Sequence, residues 1–144
     1  MGVTMSVEEN SNLSIKNWLA ILVLAISTFI IVTTELAPVG LLTPMAKDFG
    51  VSESQIGVTV TIYAWVGAFS AILASVFLGN IAKKTLLIVL ITILLASNTL
   101  SATVTTYSML LVARVIGALA HGSFWAIIGA TAVAIVPPKH IGVA

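Results

Sequence analysis

The chain has 144 residues, of which 59% are hydrophobic and 8% charged, and its mean hydropathy is +1.17. A soluble domain carries roughly 25% charged residues, and a disordered chain combines low hydrophobicity with high charge, so both classes are excluded. The net charge of +1 gives nucleic acid nothing to bind, and the absence of cysteine excludes disulfides, thiolate zinc sites and a thiol nucleophile.

An all-α membrane protein remains, since each spanning helix needs ~20 apolar residues. Residues 1–13 are polar and read as a cytoplasmic N-terminal tail; residues 14–144 read as a membrane domain. Four apolar stretches within it, at about 18–42, 56–78, 86–104 and 109–136, are predicted transmembrane helices. They are too continuous for barrel strands, which alternate over ~10 residues. The first is too long for a secretory signal, is preceded by Glu8 and Glu9, and has no small-residue cleavage site after it. Ser52 and Gln55 have the spacing of a capping box at the start of the second helix. Thr105 or Thr106 suits the N-cap of the fourth. Short connections predict antiparallel neighbours. Lys16, Lys83, Lys84 and Lys139 fall on one side and only Lys47 on the other, so both termini are expected in the cytoplasm.

A charge at mid-bilayer costs at least ~2.5 kcal/mol on insertion scales. Only Glu35 and Arg114 carry formal charge inside the predicted spans, and His121 adds a titratable imidazole. Counted from the outer helix ends at 1.5 Å per residue, Glu35 lies about 10 Å deep and Arg114 roughly 8 Å deep. They can pair if their helices are neighbours, either as a static pin or as part of a coupling pathway. Arg114, His121 and Trp125 are spaced by seven and four, within about 40° on one helix face. Near mid-depth, His121 suits a substrate site; a neutral histidine bonding a neighbouring helix is the plainer alternative. Pro38 vacates a carbonyl around position 34, which the local threonines or water can satisfy. Thr34 and Tyr63 are candidate cavity residues, with packing as the alternative for Tyr63. Gly67, Ala71, Ser75 and Gly79, and likewise Ala118, Gly122, Ala126, Ala130 and Ala134, form four-residue ladders that read as packing surfaces. No metal site is expected of one intramembrane histidine, and no motif of enzyme chemistry occurs.

Thr33-Thr34-Glu35-Leu36-Ala37-Pro38-Val39-Gly40-Leu41-Leu42 resembles the first-helix signature of drug and sugar exporters in the major facilitator superfamily. Thr61-Ile62-Tyr63-Ala64-Trp65-Val66 and Ala120-His121-Gly122-Ser123-Phe124-Trp125 are similar to the bacterial sugar efflux branch, of the arabinose-exporting type. Arg114-x-x-Gly117 is similar to the superfamily's fourth-helix arginine motif, associated with proton coupling. The superfamily's loop between helices two and three usually reads Gly-x-x-x-Asp-Arg-x-Gly-Arg. Here Gly79, Lys83 and Lys84 keep a glycine and positive charge, without the acidic residue and second glycine.

The resemblance implies a proton-coupled exporter of small sugars in the bacterial inner membrane. The proton gradient would be its energy source, with no bound cofactor. Glu35 and Arg114 would serve coupling, Thr34, Tyr63, His121 and Trp125 the substrate cavity, and Gly79, Lys83 and Lys84 the gating loop. The family has twelve helices in two halves of paired inverted repeats. The chain is therefore expected to be a truncated N-terminal part that lacks helices five to twelve and is inactive alone. Two alternatives stand beside this reading: a drug or nucleoside exporter of the same superfamily, and a non-transporting membrane subunit that assembles through its small-residue faces.

Overall fold

The computed structural model describes residues 15–79 and 81–135. The expected tail at 1–13 and the segment Pro137–Ala144 lie outside them. The described residues fold as five helices: α1 (Ile15–Gly40), α2 (Leu42–Phe49), α3 (Glu53–Phe77), α4 (Lys83–Thr103) and α5 (Tyr107–Ile135). All but α2 are long and apolar enough to cross a membrane. The shortest of these four, α4, has 21 residues, about 32 Å at 1.5 Å per residue, against a hydrocarbon core of about 30 Å.

The helix starts follow local chemistry. The Ser52 hydroxyl accepts from the Gln55 amide and the Gln55 side chain accepts from the Ser52 amide, a complete capping box. Because the cap sits at Ser52, α3 starts at Glu53, three residues before the apolar run beginning at Ile56. Thr106 caps α5, its hydroxyl accepting from the Met109 amide at 3.4 Å.

The short helix α2 occupies what the sequence suggests is a loop, and it ends the first spanning helix at Gly40 rather than Leu42. Its apolar residues Leu42, Met45, Ala46 and Phe49 repeat at helical spacing. They pack with Ile56 and Leu110, the first buried residues of α3 and α5. Pro44 falls in the first turn, where its missing N–H has no intrahelical acceptor. Gly50, at φ +63°, closes the helix in the left-handed conformation with its amide on the Ala46 and Lys47 carbonyls. Two polar ties hold this end of the bundle. Thr43 Oγ1 donates to Glu53 Oε1 at 2.6 Å, and the Tyr107 hydroxyl donates to the Gln55 carbonyl at 2.8 Å.

The α5 helix is the buried axis of the bundle and α1 its most exposed member. Along α3, the buried residues are Ile56, Thr59, Tyr63, Gly67, Ser70 and Ala74. These steps mix three and four, which keeps one line on a 3.6-residue helix. The strict four-step ladder drifts by about 40° per step and leaves that line. Gly67 is therefore in the seam, whereas Ser75 and Gly79 are exposed. On α5, Ala118 and Gly122 are buried. A Cβ on Gly122 would strike the Gly67 main chain, so the two backbones are in direct contact. The Ser70 and Ser123 hydroxyls lie 2.8 Å apart, and both are within hydrogen-bond reach of the Leu119 carbonyl, so one donates to that carbonyl and the other donates to it or to its partner hydroxyl. Across the other seam, the Ser97 hydroxyl of α4 donates to the Ala113 carbonyl of α5 at 2.6 Å. Leu86, Leu87, Leu90 and Leu94 of α4 enclose Phe124 of α5 with Ile31 of α1.

Gly122 leaves no room for a side chain, while nothing lies within 4 Å of a Cβ at Gly129. Gly122→Val is expected to destabilise the bundle by at least ~1–3 kcal/mol through overpacking. Gly129→Ala should be neutral or gain up to ~1 kcal/mol from helix propensity. Unfolding of both variants in matched detergent micelles, followed by circular dichroism, measures the contrast.

Candidate functional site

The polar residues of the spans meet where α1 crosses α3 and α5. Away from the helix ends, the described residues carry formal charge only at Glu35 and Arg114. The two do not join through their side chains. The Arg114 guanidinium turns to the main chain of α1, with Nη1 3.3 Å from the Thr34 carbonyl and Nη2 3.3 Å from the Glu35 carbonyl. The Glu35 carboxylate instead faces the imidazole, Oε2 lying 3.4 Å from His121 Nε2.

Backbone depth alone hides this pairing. Glu35 lies about 10 Å, and His121 roughly 20 Å, from the α2 end of the bundle at 1.5 Å per residue. Side chains, however, slant toward the N-terminus of their own helix. Since α1 and α5 run in opposite directions, Glu35 reaches away from the α2 end and His121 reaches back toward it. The same slant carries Arg114 toward the α2 end, to the carbonyls of α1 rather than the carboxylate.

Tyr63 joins the two cationic or titratable groups of α5. Its ring stands edge-on to His121 with centroids 5.1 Å apart, and the Arg114 guanidinium carbon lies 4.9 Å from its centroid. His121 then meets Trp125, with ring centroids 6.2 Å apart. Arg114, Tyr63, His121 and Trp125 form a continuous stack along α5, with Tyr63 inserted from α3. Trp65, two residues beyond Tyr63, projects from the opposite side of α3 and is exposed. The Nδ1 atom of His121 is buried with no protein partner. No second hydrogen bond therefore fixes which ring nitrogen carries the proton.

Glu35, Tyr63, His121 and Trp125 line one cavity of ≈ 250 Å³, floored by Gly67, Ala68 and Gly122 of the close seam. Small residues make this space, because two glycines facing each other leave the aromatic rings above them without a supporting side chain. The cavity volume equals about eight waters at about 30 Å³ each.

Thr34 is not part of this cavity. It lies about 100° around α1 from Glu35, its hydroxyl donates to the Ile31 carbonyl at 2.9 Å, and it borders a separate crevice of ≈ 520 Å³ between α1–α2 and α4–α5. Gly79, Lys83 and Lys84 lie far from the cavity, at the end of the bundle opposite α2. All three are exposed, and nothing lies within 4 Å of a Cβ at Gly79. Among the described residues, no group of histidines and carboxylates could hold a metal ion. The seam serines Ser70 and Ser97 have no distinguishing motif in the sequence, and Ser123 lies in the α5 motif at 120–125 without its contact being legible there.

The cation–π contact predicts a split between two substitutions of Tyr63. Tyr63→Phe keeps the ring between Arg114 and His121 and should unfold as the parent does. Tyr63→Leu should cost about 2 kcal/mol, the worth of a desolvated cation–π pair, read from unfolding in detergent.

The family model of the Major Facilitator Superfamily matches residues 20–144. No solved structure matches the chain.

Proposed function

The chain belongs to the major facilitator superfamily, whose members are transporters, and we propose that it forms a portion of a proton-coupled exporter of a small sugar. The observation that carries this reading is the Glu35–His121 pair at 3.4 Å, set in a cavity with Tyr63 and Trp125. A carboxylate and an imidazole in contact provide a place for one proton inside the bilayer. They also provide acceptors and donors for the hydroxyls of a sugar. The tyrosine and tryptophan rings offer apolar faces with polar edges, which suits the alternating C–H and O–H surface of a sugar. A proton and a sugar hydroxyl then compete for the same two side chains. Competition of this kind is a coupling free energy between two ligands, and it is reciprocal. Proton entry favours sugar release, and sugar binding favours proton release, which is the requirement for exchange.

In this assignment Glu35 and His121 carry the proton, and Tyr63 and Trp125 hold the substrate. The setting is the bacterial inner membrane, with the α2 end facing outward and the Lys83–Lys84 end facing the cytoplasm, as the lysine distribution favours. A subunit assembling through its small-residue ladders is less well supported, because Gly67, Ala118 and Gly122 are consumed inside the chain.

Efflux of arabinose and of a drug panel by the exporter that contains this chain, measured with and without an imposed pH gradient, tests the reading. Arabinose efflux that rises with the gradient is expected. Drug efflux without arabinose efflux would replace the sugar by a drug as substrate. Glu35→Gln should slow gradient-driven export at least about tenfold, equivalent to about 1.4 kcal/mol on the barrier. A wild-type rate together with a wild-type pH dependence in that variant would overturn the coupling role.

A further inference from the structure

We infer that Arg114 acts as the missing backbone donor of α1. It is a positioning residue that holds the α1 main chain one turn before Pro38 and so aims Glu35 at His121. Proline at position 38 has no N–H for the Thr34 carbonyl, and its ring crowds that carbonyl out of line. The vacated acceptor lies in a spanning helix, where an unsatisfied backbone group costs several kcal/mol. A hydroxyl one turn away is the usual remedy, but the threonines of this segment are otherwise engaged. Thr34 donates to the Ile31 carbonyl and Thr33 to the Phe29 carbonyl. The donor that reaches the Thr34 carbonyl comes from another helix, at Nη1 of Arg114.

The guanidinium suits this task through its shape. Its two terminal nitrogens lie in one plane and span two adjacent carbonyls, those of Thr34 and Glu35. Arg114 is itself buried, with 4% of its surface exposed, and the Tyr63 ring backs it at 4.9 Å. The arginine therefore has one face on an aromatic ring and its fork on the main chain of α1. Because Glu35 is one of the two residues held, the bracket fixes the backbone from which the carboxylate projects. Lysine, with a single compact ammonium, cannot span both carbonyls while stacking on the ring.

The hold on the α1 main chain follows from the backbone contacts alone. Its consequence for the proton site rests on the functional reading above, so the test separates the two. The chain has no cysteine, so cysteines introduced at Val39 and Val112 can be spin-labelled without background. Both positions are exposed, one just past the proline on α1 and the other on α5 beside Arg114. Electron–electron distance measurements, made at one pH without substrate, would compare the parent, Arg114→Met, and Arg114→Met combined with Pro38→Ala. Arg114→Met should lengthen and broaden the distance distribution. Adding Pro38→Ala should narrow it again, because an alanine at position 38 supplies the N–H that the Thr34 carbonyl lacks. An unchanged distribution in Arg114→Met overturns the inference, and so does a double variant as broad as the single one. If Arg114→Met yields no folded protein, recovery of the double variant in detergent supports the inference and equal loss overturns it. Transport does not enter these readouts, so failure of the exporter reading leaves the result intact.

Discussion

A backbone carbonyl in a spanning helix is costly to leave unpaired, and Pro38 leaves one at Thr34 without its helical donor. Its partner, Arg114, is itself expensive to bury and is held between that carbonyl, its neighbour and the Tyr63 ring. Two groups that would each be costly alone thus bond to one another through Nη1. Most of the polar chemistry of the bundle follows from this exchange. Arg114 is occupied by the main chain of α1, so the Glu35 carboxylate meets His121. Tyr63 is held between Arg114 and His121 and forms one wall of the cavity.

The close seam of α3 and α5 makes this exchange possible. Without a hydrophobic drive between helices in lipid, backbone approach and hydrogen bonds must hold them together. Gly67 against Gly122 brings the main chains into contact, and Ser70 with Ser123 ties them one turn further along. The approach places Tyr63 of α3 between two residues of α5 that lie seven apart. The same small residues floor the cavity. The tight seam thus both fastens the bundle and leaves the space in which a polar molecule can lie.

The four spans, the capping box at Ser52 and the vacated carbonyl near position 34 were all legible in the sequence. Each depends on spacing along one segment. The helix α2 was legible in principle, since Leu42, Met45, Ala46 and Phe49 repeat at helical spacing and Gly50 follows. Its eight residues were hidden by the charges Lys47 and Asp48, which made the segment read as a loop. The partner of Glu35 was not legible. Similar backbone depth pointed to Arg114, whereas side-chain slant in antiparallel helices brings together residues whose backbones differ in depth. Thr34 fell outside the cavity for a related reason, because its neighbour Glu35 already occupies the inward direction and one step turns the helix by about 100°.

The sequence by itself determined that four segments are apolar and long enough to span a membrane, where those segments lie to within a few residues, and which few residues are too costly to bury without a purpose. Hydropathy, caps and proline act within a segment, so a linear reading reaches them. Only the tertiary structure decided which of the costly residues satisfy one another. That choice depends on the crossing of three helices, the direction in which each side chain leans, and the closeness that two facing glycines permit.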